Sequence, residues 1–507
     1  VLSTSLDASD PLSSSRWLAT QPVSSIAATA VPAASAKPRL RVLWSMVCLS
    51  VECFFAWTGC LIAPAHDVLT LLSGRVELQT FACCDPVSAR RGSAAVGSDA
   101  MKRTTVAQHA PHRTPSAWGS ALRMLGIGVA VVTVAAIGIG GFIAADLALR
   151  VSDGAVELEG APDVAPPSLG AYDGEFAILL VGTDECGAVS KQKLGERCIG
   201  EEGIRNDVNL LVHVSPEPRK VSVVSLPRDL MLEVPECTRE DGSVASGSSK
   251  AAINTVFERA GLSCVAKSVT ELSGIDIGFA AKLSFDGVMK ITDAIGGVEI
   301  CVGGTGIRDR HTDIDWDPGP RTVSGYEALQ FIRVRKGIGD GSDLARISNQ
   351  QQYMSRLAKK ILSSETLTDV PKVLRLANVV ADNVEPSESL ANPVRLAQLA
   401  LALKDVPFDE FKFLQLPTVE DPADANRVVA NETAALPMWE AIRTGESMRI
   451  TGEASNHGGV VAETPAPADT PSSAPSPSPS ATEGVVLSDQ ISGIDLNQDT
   501  CSGGRRR

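Results

Sequence analysis

Residues 205–229 read RNDVNLLVHVSPEPRKVSVVSLPRD. Val208–Val214 and Val221–Leu226 are short runs of apolar and β-branched residues, the composition of strands buried in a sheet. Between them, Ser215-Pro-Glu-Pro-Arg-Lys220 reads as a turn, so the two runs predict an antiparallel hairpin. In a hairpin the start of the first strand and the end of the second lie on one edge of the sheet. Arg205 and Asp207 stand at that start, and Arg228 and Asp229 at that end. Phe176–Val181 is a further apolar run. If it lies antiparallel beside the first strand of the hairpin, Asp184 joins the same rim.

Working outward, Phe285–Ile295 reads as a helix stopped by Gly296-Gly297, with a strand at Val298–Val302 after it. Ser324-Gly-Tyr-Glu327 has the pattern of a capping box and opens a short helix through Phe331, followed by Arg333-Val-Arg335. Asp343 fits the N-cap of a long helix whose apolar side carries Leu344, Ile347, Met354, Leu357, Ile361 and Leu362. Arg346 and Gln350 are roughly 40° apart on that helix and project together from its flank. Strands and helices alternate irregularly. The fold class expected is α/β, an α-β-α sandwich with a central mixed sheet, preceded by one transmembrane helix.

The chain has 507 residues, enough for two or three domains, and 44% hydrophobic content supports a large core. With 46 Lys+Arg against 60 Asp+Glu, its net charge of −14 argues against a nucleic-acid partner. Met124–Ala145 has no charged residue and matches the roughly 20 residues that cross a bilayer. Lys102, Arg103, Arg113 and Arg123 precede it, so by the positive-inside rule the N-terminus is cytoplasmic and the C-terminal domain extracytoplasmic. A cleaved signal peptide is the rival reading; the apolar run is long for one.

Residues 1–100 read as a poorly structured extension ahead of a natural start at Met101-Lys-Arg, not part of the working protein. A second membrane segment at Val42–Ala63 is the alternative. Residues 101–123 form a basic cytoplasmic segment, 146–172 a linker, 173–447 the globular domain and 448–507 a disordered Pro/Ser/Ala-rich tail. Six of the eleven cysteines follow the apolar run, at 186, 198, 237, 264, 301 and 501, and are disulfide candidates in an oxidising exterior. Proximity favours Cys186–Cys198 and Cys237–Cys264 among the possible pairings.

The nucleophile elbow, the two-histidine zinc helix and the P-loop are missing from the sequence. His213, His311 and His457 have no metal-site spacing, and His213 within a strand reads as structural. Carboxylates and arginines remain. A guanidinium cluster beside carboxylates suits a diphosphate and a divalent metal, against the commoner fate of scattered surface ion pairs. Mg²⁺ takes few protein oxygens, with Asp184 and Asp207 as candidate ligands. For Asp229 a turn-capping role stands equal to catalysis, and for Asp343 the N-cap role stands equal to a functional one. Arg333 and Arg335 share a pocket only if their segment is extended.

At this point the ordered run of motifs resembles the LytR-CpsA-Psr family. Ile178-Leu-Leu-Val-Gly-Thr-Asp184, Arg205-Asn-Asp207 and Val224-Ser-Leu-Pro-Arg-Asp229 carry the resemblance first. It continues through Ile253-Asn254, Asp293-Ala-Ile-Gly-Gly-Val298, Tyr326-Glu-Ala-Leu329 and Arg333-Val-Arg335 to Gly341-Ser-Asp343-Leu-Ala-Arg346 and Asn349-Gln-Gln351. It covers about residues 173–365, and the cysteines at 237, 264 and 301 resemble its actinobacterial branch. The resemblance implies a ligase that takes a cell-wall glycopolymer (teichoic acid, capsule or arabinogalactan) from a polyprenyl-diphosphate carrier and joins it to peptidoglycan. It implies Mg²⁺, an arginine-rich pyrophosphate pocket and an apolar channel for the lipid. Carried over by motif, Asp184 and Asp207 are metal-associated aspartates. Arg205, Arg228, Arg333, Arg335 and Arg346 are diphosphate-binding, with Gln350 nearby. Two positions depart from the family's pattern: Cys186 and Asn349 stand where arginines are usual.

The expected reaction is attack of a peptidoglycan hydroxyl on the polymer-proximal phosphorus. Asp229 acts as general base or orienter, with Arg205 and Arg228 as catalytic cations. The alternative is a non-catalytic polyprenyl-diphosphate binder that scaffolds or regulates envelope assembly, and a pyrophosphatase is a lesser third reading. Ile277–Ile295 is a candidate contributor to the lipid channel, ordinary core packing being the commoner fate of such a stretch.

Overall fold

The computed structural model describes residues 116–168, 170–198, 203–462 and 484–506. The N-terminal extension, the alternative membrane segment at 42–63 and most of the basic segment lie outside them. Helix α1 (Ala117–Ser152) is one continuous rod of 36 residues, about 54 Å long at the α-helical rise. Ser116 caps it, its hydroxyl accepting from the Gly119 amide at 3.1 Å. It is long and apolar enough to cross a membrane, and every position from Met124 to Ala145 is exposed. The helix outlasts the uncharged run, because Asp146 and Arg150 pair one turn apart at 2.8 Å. The chain after it is packed, not a loose linker. Val156 bridges to Ser387, Ser168 accepts from Gln398, and the Tyr172 ring meets Phe176 and Phe279 edge-on.

Strands β1 (Phe176–Thr183), β2 (Asn206–Val214) and β3 (Val221–Leu226) follow. The chain continues through α2 (Val256–Ser273), β4 (Phe279–Leu283), α3 (Phe285–Ala294), β5 (Val298–Val302) and β6 (Gly319–Val323). Helices α4 (Gly325–Arg333), α5 (Asp343–Leu362) and α6 (Val370–Asn383) come next. After them lie β7 (Val384–Pro386), α7 (Pro393–Lys404), β8 (Phe411–Gln415), the hairpin β9 (Thr418–Asp421) and β10 (Asp424–Ala430), and α8 (Glu432–Thr444). The last strands are β11 (Val460–Ala462), β12 (Gly493–Asp495) and β13 (Thr500–Ser502).

The central sheet has seven strands in the order β7-β4-β1-β2-β3-β8-β12. It is mixed: β1 pairs antiparallel to β2 and β2 to β3, while β4 runs parallel to β1 and β8 parallel to β3. The expected hairpin forms between β2 and β3, closed by the Ser215 amide donating to the Lys220 carbonyl at 3.0 Å. Alternation along β1 sorts its side chains between two cores. Ala177, Leu179 and Val181 face α2 and α8, where Val265, Val269, Met438 and Trp439 are buried. Ile178 and Leu180 face the other way, toward Met354 of α5 and Leu399 of α7. Helices on both faces of a mixed sheet make the α-β-α sandwich that the sequence predicts. Full burial of each Leu or Val side chain contributes about 1.5–3 kcal/mol.

Three expectations need correction. Residues 448–462 and 484–506, expected within a disordered tail, are folded; residues 463–483 lie outside the described residues. β12 forms the edge of the central sheet beside β8, and β13 joins β5 and β11 in a second sheet. A Cys301–Cys501 disulfide ties the C-terminal end to β5, beside the expected Cys186–Cys198 and Cys237–Cys264 bridges. The capping box at Ser324 does not close: its side chain makes no cap bond, and Glu327 instead pairs with Arg321 at 2.7 Å. Finally, Ser342 is the N-cap of α5, its hydroxyl accepting from the Ala345 amide at 3.2 Å. That releases the Asp343 carboxylate for other contacts.

Candidate functional site

The rim predicted from the hairpin exists. β1 ends opposite the start of β2, with Thr183 in register with Asn206, and Gly182 lies so close to Val208 that a Cβ there would come within 2.9 Å of it. The Asp184 amide donates to the Arg205 carbonyl at 3.1 Å, and the Arg205 amide donates to Asp184 Oδ1 at 2.8 Å. This pair of bonds continues the ladder one step past the bulge and holds the Asp184 carboxylate at the sheet edge.

Arg228, just beyond the end of β3, is the hub. Its Nη1 donates to Asp207 Oδ1 at 3.1 Å, and its Nε lies 3.2 Å from Asp343 Oδ1 and 3.6 Å from Asp229 Oδ2. Burial works against the Arg228 charge, but Asp207, Asp343 and Asp229 outweigh it and hold the proton more tightly than usual. Arg346, one turn into α5, meets Asp343 at 2.7 Å and is almost wholly buried. Burial, opposed by Asp343 and reinforced by the like charge of Arg228, pulls its guanidinium below the ordinary arginine value. Arg335 completes the group of cations whose fields act on Arg346. Burial raises the Asp184 carboxyl above its usual range; the Arg205 amide opposes this, and the negative charge of Asp207 adds to it.

The cluster is rich in ionic contact and poor in directed hydrogen bonds. Among the described residues, Arg228 Nε, Arg346 Nε and Nη2 and both Asp343 oxygens are buried without a hydrogen-bond partner. The 2.7 Å contact between Arg346 and Asp343 is close in distance but misdirected. Charged donors that meet a carboxylate without a directed hydrogen bond keep hydrogen-bonding capacity to spare. A tetrahedral anion entering the rim would use them, since guanidinium donors match phosphate oxygens in geometry and charge.

Arg333 and Arg335 part company. Arg333 closes α4 and its guanidinium lies over the Phe285 ring at 4.9 Å, whereas Arg335 follows in extended chain and donates from Nε to the Gly341 carbonyl at 3.3 Å. Phe285 donates its amide to the Glu185 carbonyl, so Arg333 flanks the rim on the Asp184 side. Gln350 does not join the cations. Its amide donates to the Ile332 carbonyl at 2.9 Å, and it lines an apolar cavity. The departures from the family's usual arginines also have structural roles: Cys186 is disulfide-bonded, and buried Asn349 donates to the Phe331 carbonyl at 3.0 Å. Asn349 and Gln350 thus satisfy carbonyls at the end of α4, where a helix lacks internal donors.

Two residues escaped the sequence reading. Arg427 of β10 reaches Asp229 at 2.6 Å, while the Val428 amide donates to the Asp229 carbonyl at 3.2 Å. Asp309 accepts from the Arg335 and Lys336 amides, both at 2.9 Å, and so sets the direction of the extended segment. Neither lies in a motif, and each meets its partner across a long stretch of chain.

The apolar cavity lies between the sheet and helices α3 and α5. Its volume is about 60 Å³, and Val208, Leu210, Val288, Ile291, Met354 and Phe413 are among its walls. Leu283, Val288, Ile291 and Thr292 come from the stretch 277–295, so part of that stretch walls a cavity while Ile277 and Phe279 are ordinary core. Ser225, Ile332 and Gln350 also line it. Each stands one to four residues from Arg228, Arg333 or Arg346, which places the cationic rim beside the cavity.

The described residues contain no group of three or more His, Cys, Asp or Glu side chains arranged for a metal. Asp207 lies near enough for its charge to act on Asp184, and both of its oxygens accept from Arg228. Mg²⁺ is held by one or two carboxylates together with phosphate oxygens and water, and these two carboxylates are of the type it takes.

Comparison with known proteins agrees with the motifs. The family model described as the LytR_cpsA_psr family matches residues 151–444. The cell wall biosynthesis protein LcpA of Corynebacterium glutamicum is 28% identical over 306 residues, covering 56% of this chain and 56% of that protein. The polyisoprenyl-teichoic acid–peptidoglycan teichoic acid transferase TagT of Bacillus subtilis is 23% identical over 236 residues, 46% of this chain and 66% of its own. The chain therefore spans about half to two thirds of the length of these relatives. The crystal structure of B. subtilis TagV superposes with a TM-score of 0.42 at 20% identity, covering 54% of this chain and 97% of that one.

Proposed function

The chain belongs to the LytR_cpsA_psr family, and on that premise we propose that it is a membrane-anchored phosphotransferase. It takes a cell-wall glycopolymer from a polyprenyl-diphosphate carrier and joins it to peptidoglycan outside the membrane. α1 is the membrane anchor among the described residues, with its N-terminal end in the cytoplasm. The observation that carries this reading is the buried pair Arg228 and Arg346, which meet Asp343 without a directed hydrogen bond, beside an apolar cavity. A lipid diphosphate is the ligand class that needs both features at once: a dry slot for the prenyl chain and charged donors for the phosphates.

In this reading the prenyl chain enters the cavity, and Arg228, Arg335 and Arg346 take the diphosphate. The acceptor hydroxyl oxygen forms a bond to the polymer-proximal phosphorus, and the bond from that phosphorus to the bridging oxygen breaks. Polyprenyl phosphate leaves with the bridging oxygen, and the hydroxyl proton is lost to a rim carboxylate or water. The guanidinium groups bind the negative charge that grows on the leaving phosphate, where fixed donors act without reorganising. Asp229, tied to Arg427 at 2.6 Å, serves as an orienter of the arginines. Asp184 and Asp207 would hold Mg²⁺, which when bound neutralises phosphate oxygens as a Lewis acid. Arg205 and Arg333 flank the rim and steer the anionic substrate toward it.

The test is incubation of the purified protein with a polyprenyl-diphosphate glycan, a peptidoglycan glycan acceptor and Mg²⁺. The expected products are a covalent glycan adduct and equimolar polyprenyl phosphate. Binding with no bond cleaved would replace this reading by that of a lipid-diphosphate scaffold, and water as sole acceptor by that of a pyrophosphatase.

A further inference from the structure

Helix α6 buries one side against the domain and leaves another bare. Val370, Val373 and Leu374, together with Leu367 just ahead of the helix, are exposed apolar side chains, Val370 at 62%. Val370, Leu374, Asn378 and Ala381 fall within roughly 80° around the helix axis, so they form one stripe. The far end of that stripe is occupied by the anchor helix. Val151 packs with Ala381, Arg150 Nη1 pairs with Asp382 at 2.9 Å, and Arg150 Nη2 donates to Asn378 at 2.5 Å. The exposed part is therefore a continuation of the surface on which α1 sits.

The level at which α6 meets α1 is also set. As the chain leaves the apolar run, Leu147 and Val151 meet the last turn of α6, and Val156 then runs parallel beside Ser387. Arg150 reaches Asn378 and Asp382 at once, so the last turns of α6 stand level with the part of α1 that follows the apolar run. Leu147 to Val151 lie two to six residues past Ala145, roughly 3–9 Å along the helix axis. That is the depth of the headgroup region, which is about 5–8 Å thick on each side of the hydrocarbon.

We infer that the exposed stripe of α6 is seated in the lipid headgroup layer and forms, with α1, a two-point attachment of the domain to the bilayer. Its exposed edge is apolar, and its flank is of mixed charge, Lys372 pairing with Asp369 as well as with Glu365. Arg375 is exposed on that flank, and the acidic Glu365 nearby is paired with Lys372 at 3.3 Å. The seat bears on the proposed reaction. α6 packs against α3, and Val288, Ile291 and Thr292 of α3 wall the apolar cavity. An embedded α6 holds that wall beside the bilayer from which a prenyl chain must come. The inference rests on α1 spanning a membrane, and its test separates the two.

The full chain is reconstituted in vesicles of phosphatidylcholine and phosphatidylglycerol containing tritiated phosphatidylcholine. Photoreactive benzoylphenylalanine replaces Leu374, Val132 of α1, or Leu436, an exposed position on α8 across the sheet. Label transfer at position 374 at least about threefold above position 436, together with strong transfer at 132, supports the seat. Transfer at 132 with none at 374 overturns it and leaves the anchor intact. Failure at all three positions overturns both. Protein–protein crosslinks in place of lipid at 374 assign the stripe to a second copy and overturn the seat. In a second measurement, Val370→Asp with Leu374→Asp lowers label transfer from a photoreactive group at Leu367 to the level at 436; unchanged transfer refutes the proposed contact.

Discussion

Replacing Arg228 by alanine separates the stabilising role of the rim from its chemical one. In the wild type its guanidinium faces three carboxylates, at 3.1 Å for Asp207, 3.2 Å for Asp343 and 3.6 Å for Asp229. Two of these retain cations when it is gone, because Asp343 has Arg346 at 2.7 Å and Asp229 has Arg427 at 2.6 Å. Asp207 loses the guanidinium it is paired with. Its side chain is 23% exposed and that of Arg228 24%, so water takes over part of the lost interaction. The cost to stability then falls near ~1 kcal/mol, at the top of the range for exposed pairs and well below the 3–5 kcal/mol of a fully buried one. The chemical cost is larger. Removing one fixed donor from a developing anion typically costs about 2.7–4 kcal/mol, or roughly 10²–10³ in turnover. Thermal unfolding and single-turnover glycan transfer measured on the same preparation should show a small shift in Tm and a near-total loss of transfer. Arg228→Lys should recover part of the loss, because it restores the charge without the planar fork. A folded Arg228→Ala protein that transfers glycan within about twofold of wild type would refute the assignment of Arg228 to the leaving phosphate.

The remaining predictions test other parts of the molecule. Cys301 and Cys501 close a loop of 200 residues, so Cys301→Ser with Cys501→Ser should cost up to about 5 kcal/mol by the chain-entropy relation; calorimetry of the oxidised proteins, with a destabilisation confined to tenths of that, would show that the C-terminal strands hold without the bridge. Asp184 has a raised folded pKa, so its ionisation disfavours the folded state: stability falls as pH rises from the ordinary value of 3.8 through the folded value. Asp184→Asn should therefore raise Tm at pH 7, leave it nearly unchanged at pH 3, and abolish the dependence of transfer on Mg²⁺; a lower Tm at pH 7 counts against the sign. Ile291→Trp narrows the apolar cavity and should weaken long-prenyl donors more than short-prenyl ones in a binding titration, at an overpacking cost of about 1–3 kcal/mol; equal weakening would place the lipid elsewhere.

How far the sequence disclosed this molecule follows the range of the contacts involved. The β2–β3 hairpin was legible because period, turn and register act within a few residues, and its geometry alone brought Arg205, Asp207, Arg228 and Asp229 to one edge. Asp184 followed from a single further assumption, the antiparallel pairing of β1 with β2, which holds. Arg427 was hidden because its partner, Asp229, lies 198 residues away and its own strand carries no distinguishing pattern. The C-terminal strands were hidden for a different reason. β11, β12 and β13 have three residues each, too few for alternation to register, and the Pro/Ser/Ala run between β11 and β12 dominates any reading of the region by composition. The six cysteines after the apolar run held the corrective clue: with 186 paired to 198 and 237 to 264, Cys301 had Cys501 as its remaining partner, which requires the end of the chain to return to β5. The same logic explains the caps. Ser342 and Asp343 are equally acceptable at a helix start by type, so local pattern could not choose between them. The choice falls to the rim, where Arg228 and Arg346 draw the Asp343 carboxylate inward and leave the cap to serine.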